Sequence, residues 1–190
     1  MVEAGTIIES IYYLLKRIGP TDKLKLVKLL YFADKFHLIK YGRTITNDEY
    51  WAMDHGPVGS NIKDVLEYDS ILSISKNELK YAEKFFSKVK RNKFQANDIE
   101  VSPEFNFLSE TDIEALDMTI KHFSSMSTWK IRDFSHKYPE WTQYEELFEN
   151  KETRRERIQT EELISIIPND PFGFSAKDIE NAKSIFNGVC

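Results

Sequence analysis

From the start of the chain apolar residues recur at helical spacing. Ile7, Ile8, Ile11, Tyr12, Leu14, Leu15 and Ile18 share one face of a helix over residues 6–18, with Thr6 placed to cap it. Gly19-Pro20 ends that pattern, and Thr21 or Asp22 is positioned to cap a second helix. Along one side this helix carries Leu24, Val27, Leu30, Tyr31 and Leu38, and beside them Leu26, Leu29, Phe32 and Phe36. An apolar arc that wide predicts a central helix touched on several sides. Gly42 falls where a helix-terminating glycine belongs.

The period then changes. Thr44, Ile45 and Thr46 are β-branched, and Tyr50 and Trp51 suit a sheet, so residues 44–54 read as extended. Gly56-Pro57 predicts a turn, after which Ile62, Val65 and Leu66 mark a short helix. Ile71, Leu72 and Ile74 fit a short strand. Helical spacing returns over 77–91, and 92–108 reads as extended pieces around Pro103. Ser109 or Thr111 caps a helix to Phe123, and Ser127 another to Tyr138. Pro139 interrupts, a Glu-rich helix covers 141–150, Leu163 to Ile167 has strand character, and Ser175 caps a last helix to Asn187. The sum is an α+β fold, mainly helical: a single compact domain over 1–190 with a small β element near residues 44–54.

Composition agrees with a folded domain: 41% hydrophobic, 13% aromatic and 30% charged residues, with few Gly and Pro, supply a core without a disordered signature. No apolar run approaches the roughly 20 residues that cross a bilayer. Glu3 and Glu9 interrupt the N-terminal apolar run, and its basic pair follows rather than precedes it, so a secretory leader is not expected. Cys190 is the only cysteine, which excludes an internal disulfide and a multi-cysteine metal site. A cytoplasmic location follows by elimination. The net charge of −5 argues against a dedicated nucleic-acid binder.

Candidate chemistry is sparse. His37, His55, His122 and His136 are too far apart in sequence to share a helical face, so no metal site is expected. The nearest approach to a nucleophile elbow, Gly173-Phe174-Ser175-Ala176-Lys177, lacks its second glycine, and Ser175 reads better as a helix cap. With no phosphate-loop or dinucleotide fingerprint, neither a cofactor nor an enzymatic activity is expected. Lys76, Lys80, Lys84 and Lys88, spaced by four, form a basic stripe on a helix, extended by Lys90, Arg91 and Lys93. It reads as a solvated face; the alternative is a nucleic-acid-binding regulator using Lys76 to Lys93. Arg154, Arg155 and Arg157, interleaved with Glu152 and Glu156, read as a salt-bridged helical surface. The turn His55-Gly56-Pro57-Val58 is more specific, because proline restricts the residue before it and glycine can comply.

One segment carries a resemblance. Lys25-Leu26-Val27-Lys28-Leu29-Leu30-Tyr31-Phe32-Ala33 is followed by His37, Tyr41-Gly42, Trp51 and the His55-Gly56-Pro57-Val58 turn, then later by Phe134-Ser135-His136 and Trp141. This pattern resembles the Panacea (SocA-like) antitoxin domain family, departing from it at His55, where tyrosine is commoner. The resemblance implies an antitoxin of a bacterial or phage toxin–antitoxin system that binds and neutralises a cognate toxin protein. Some relatives act as adaptors delivering the toxin to a protease, so a cellular protease is a second partner; no membrane partner is implied. Tyr31, His37, Tyr41, Trp51, His55 and Val58 are the expected partner-binding residues. Leu29, Leu30, Phe32, Gly42, Gly56, Pro57, His136 and Trp141 are expected to support the fold.

Overall fold

The computed structural model describes residues 4–67, 75–98 and 105–188. In chain order these form α1 (Ala4–Ile18), β1 (Thr21–Asp22), α2 (Lys23–Tyr41), β2 (Tyr50–Met53), β3 (Val58–Gly59), α3 (Ser60–Glu67), α4 (Lys76–Phe85), β4 (Phe86–Lys90) and β5 (Lys93–Ala96). Then follow α5 (Glu110–Phe123), α6 (Thr128–Ser135), α7 (Pro139–Thr142), α8 (Glu145–Glu149), β6 (Arg155–Ile158), a 3₁₀ turn (Thr160–Leu163) and α9 (Ala176–Phe186). The fold is α+β and mainly helical.

The wide apolar arc of α2 has the expected consequence. Every residue from Leu26 to Ile39 is buried, and α1, α3, α5, α6 and α9 all pack around it. Each fully buried Leu, Ile or Phe contributes about 1.5–3 kcal/mol relative to exposure, so α2 is the axis of the core. Gly42 ends it in the left-handed region at φ 77°, its N–H returned to the Leu38 carbonyl at 2.9 Å. Gly19 closes α1 in the same way onto Leu15. Thr6 does not cap α1: the helix already includes Ala4, and the Thr6 hydroxyl points at the Phe107 carbonyl.

Two small antiparallel sheets flank this axis. In β3-β2-β6, Tyr50 faces Gly59 and Ile158, while Trp51 faces Val58 and Arg157. In β1-β5-β4, Thr21 pairs with Phe94, tying the entry of α2 to a hairpin.

Several boundaries differ from the sequence expectation, each for a local reason. The helix expected over 77–91 begins at Lys76 under a Ser75 capping box and stops at Phe85. Alternation then takes over, with Phe86 and Phe94 fully buried across the hairpin, so Lys88 stands on a strand and the four-lysine stripe is broken. The extended segment near 44–54 is a strand only from Tyr50; residues 44–49 form a loop in which the N–H groups of Ile45, Thr46 and Glu49 are taken by side chains. Helix α6 ends at Ser135 rather than Tyr138, because the residue before Pro139 is held extended (φ −81°, ψ 142°), and Pro139 begins α7. The Glu-rich helix over 141–150 is consequently two short pieces, α7 and α8. Arg155 and Arg157 belong to β6, not a helix, and Leu163 closes the 3₁₀ turn rather than a strand. Ser109, Ser127 and Ser175 cap α5, α6 and α9 as expected. Ile71, Leu72, Ile74, Pro103 and Cys190 lie outside the described residues. No helix among the described residues is long and apolar enough to cross a membrane.

Candidate partner-binding site

Four polar residues of α2 are unusual because they lie in the core. Lys28, Asp34, Lys35 and His37 are all fully buried, and so is the phenol of Tyr31. Buried polar groups need partners, and these find them in the loops around the helix. Asp34 accepts from the backbone N–H of Ile45 (2.8 Å) and Thr46 (3.0 Å), from the Tyr50 hydroxyl (2.8 Å) and from the Thr46 hydroxyl. Burial pushes its carboxyl up to about 6, although the Thr46 and Tyr50 hydrogen bonds favour the anion. Asp48 fixes the next corner, accepting from the N–H groups of Asn61 and Ile62 at 2.9 Å each at the start of α3. The loop before β2 is thus pinned at both ends.

Lys35 donates to Glu140 (2.7 Å), to the Leu163 carbonyl (2.7 Å) and to Ser165 Oγ (2.8 Å), while Tyr31 donates to the same Glu140 oxygen at 2.6 Å. This buried pair bolts α7 and the Leu163 segment to α2. Burial lowers the Lys35 pKa and Glu140 opposes that shift. His37 bridges the other end, with Nδ1 2.7 Å from the Arg43 carbonyl and Nε2 3.0 Å from Thr111 Oγ1.

Lys28 is the exception, since its only hydrogen bond among the described residues runs 2.6 Å to the Pro57 carbonyl. Burial, with Arg132 nearby, pushes its pKa well below the usual value. Above it, Gly56 adopts φ 85°, and a Cβ there would stand 2.5 Å from Ser135 Oγ and 2.8 Å from Lys28 Nζ. Only glycine fits. His136 stacks on Trp141 (3.7 Å, 13°), and the Trp141 indole N–H donates to the Met53 carbonyl at 2.8 Å, which also receives the Gly56 N–H. The His-Gly-Pro-Val turn is therefore clamped from below by α2 and from the side by α6 and α7.

The expected partner-binding residues divide under this geometry. Tyr31 and His37 are fully buried and offer no surface. Tyr41 is 37% exposed but is engaged by Glu114, together with Lys40. Trp51 is half-buried beneath the Arg155 guanidinium, 4.7 Å from the ring centroid. His55 and Val58 come together on one surface, a groove of about 1000 Å³ lined also by Leu24, Val27, Met53 and Trp129. Tyr41 lies fourteen residues beyond Val27, about 21 Å along the helix axis, so it does not share this groove. Trp129, 58% exposed, faces His55 edge-on at 6.0 Å across the groove. Sequence reasoning missed it: it stands in the first turn of α6 after the Ser127 cap, and no periodic signal separates it from the core aromatics.

Among the described residues no group of His, Cys, Asp and Glu is arranged to hold a metal ion. The family model for the antitoxin SocA-like, Panacea domain matches residues 26–142, more than half of the chain. Comparison with curated proteins and with solved structures gives no match.

Proposed function

The chain belongs to the SocA-like antitoxin, Panacea domain family, and from that premise we propose that it binds a partner toxin protein and neutralises it by occlusion, without a chemical step. The observation that carries the proposal is the groove, which combines an exposed tryptophan, an exposed histidine and an apolar floor. Tryptophan in such a setting is typical of residues that dominate interface energies. The buried network of α2 supports the same reading, because it rigidifies the walls and leaves the partner little ordering entropy to overcome. Helices α1 and α9, outside the matched residues, pack on α2, and we take the described chain as one functional unit. Delivery of the captured toxin to a protease is compatible with this mode, because occlusion leaves the opposite face of the chain uncovered. The reading of the Lys76 to Lys93 stripe as a nucleic-acid contact loses its geometric basis with the break at Phe85.

A growth assay tests the proposal. The reading frame beside this gene is expressed alone, with the parent chain, and with a Trp129→Glu, His55→Glu variant. Rescue by the parent and not by the folded variant is the expected result. A toxic neighbour that the parent does not relieve counts against it.

A further inference from the structure

Around the groove the charges are unevenly satisfied. Lys23 and Lys63 at its edge both pair with Glu67, at 2.6 and 2.5 Å. Asp22 accepts from the Thr128 hydroxyl at 3.1 Å. The β4–β5 hairpin reaches the same edge: Asn92 lines the groove, its carbonyl accepts from the Lys23 N–H at 2.7 Å, and Lys93 pairs with Asp22 in the strand register. Its tip therefore places Lys90, Arg91 and Lys93 beside an apolar slot, and Arg154 belongs to the lining itself. Among the described residues none of these four is in an ion pair. In a chain of net charge −5, these four cations, outside any ion pair and outnumbering Asp22 and Asp54 of the lining, are a local reversal of sign.

We propose that the groove takes a protein segment that is acidic and carries an apolar anchor: the anchor seats against Leu24, Val27, Met53 and Trp129, and flanking carboxylates meet Lys90, Arg91, Lys93 and Arg154. The proposal rests on the antitoxin reading and names the chemistry of the toxin element. Charge complementarity selects the acidic flanks. The concave apolar floor selects a side chain rather than a phosphate backbone. A base stacked on Trp129 would compete with the Arg132 guanidinium, which already sits 5.1 Å from that ring centroid.

The test uses the full ¹⁵N-labelled chain and a synthetic peptide with a central Leu-Phe flanked by three acidic residues on each side. Controls replace the acids by lysine or the Leu-Phe by serine, and a short single-stranded RNA is run in parallel. The acidic peptide is expected to shift the Trp129 indole signal, assigned by Trp129→Phe, while both control peptides bind at least several-fold more weakly. Lys90→Glu combined with Arg91→Glu and Lys93→Glu is expected to cost about tenfold or more in affinity at low salt. The same variant should gain affinity for the lysine peptide, a reversal that a misfolded protein could not produce. Equal binding of acidic and lysine peptides, no shift at millimolar peptide, or binding of the RNA alone would each overturn the proposal. Growth rescue by the parent together with a failed peptide experiment would reject this chemistry and leave the antitoxin reading standing. Peptide binding without rescue of any toxin would do the reverse.

Discussion

Lys28→Met is the most informative single perturbation. Lys28 is fully buried, donates one hydrogen bond to the Pro57 carbonyl, and has no ion-pairing carboxylate among the described residues. Desolvation lowers its pKa in the folded state, and Arg132 adds to the effect. The folded chain then holds fewer protons than the unfolded one, so stability rises with pH until the unfolded lysine also deprotonates. Where Lys28 is neutral when folded and charged when unfolded, the slope is about 1.4 kcal/mol per pH unit. From pH 7 to pH 9 this amounts to a gain of at most about 2–3 kcal/mol for the parent, the full amount requiring Lys28 to be neutral over the whole range. Methionine keeps the linear stem but leaves the Pro57 carbonyl unpaired, at about 1–3 kcal/mol that does not depend on pH. The difference between variant and parent should therefore move against the variant as pH rises, by at most about 2–3 kcal/mol over that range. Urea unfolding at pH 7, 8 and 9, followed by tryptophan fluorescence, reads it directly. The range stops at 9 because burial raises the pKa of Tyr31, Tyr50 and Tyr138. Their stabilising contribution is lost once the tyrosines of the unfolded chain ionise. Parallel stability curves for the two proteins would refute the reasoning, since they would mean that Lys28 keeps its proton in the folded state.

Three further outcomes are expected. Gly56→Ala combines a positive φ with a Cβ 2.5 Å from Ser135 Oγ, and should lower stability by more than about 2 kcal/mol in thermal unfolding. Burial, reinforced by Lys28 and Arg132, holds the His136 pKa down at about 4, so its contribution is present above the unfolded value near 6.5 and is lost as pH falls towards 4. His136→Phe, which can keep the stack on Trp141, should flatten that acid slope by at most about 1.4 kcal/mol per pH unit; Asp34, raised to about 6, tilts the curve the opposite way in both proteins and cancels in the difference. Glu140→Leu strands the buried Lys35 ammonium and should cost about 3–5 kcal/mol in urea unfolding, whereas adding Lys35→Met should recover most of it.

What the sequence disclosed and what it hid follow from the range of the forces involved. The centrality of α2 was legible because an apolar arc wrapping most of a helix has few other homes. The serine caps at 109, 127 and 175 were legible because capping is a contact across three residues. The strand β6 was not: Arg155-Glu156-Arg157-Ile158 carries helix-compatible charges and extends only because Tyr50 to Met53 offers it a partner about a hundred residues away. The turn from α4 into β4 was hidden for the same reason, since Phe86 fits a helix face until Phe94 and β1 complete the sheet.

The division of labour in the candidate site follows from the same buried residues. In the segment that carries the family pattern, Lys28, Tyr31 and His37 spend their polar atoms on the Pro57 carbonyl, Glu140 and the Arg43 carbonyl. Asp34 and Lys35, between those positions, hold the loop before β2 and the Leu163 carbonyl. The ties run from α2 outward to the loop before β2, to the Pro57 turn, to α7 and to the Leu163 segment, so the pattern encodes where these pieces sit rather than what they touch. The groove is built mostly from residues outside that pattern: Leu24, Met53, Asp54, Trp129 and Arg154. Substituting them alters no buried polar contact of α2, while substituting Lys28 or Glu140 disturbs the frame on which they stand. The side chains that identify the family and those that would select its partner are therefore largely different residues, and only Val27 on α2 and His55 and Val58 at the clamped turn belong to both sets.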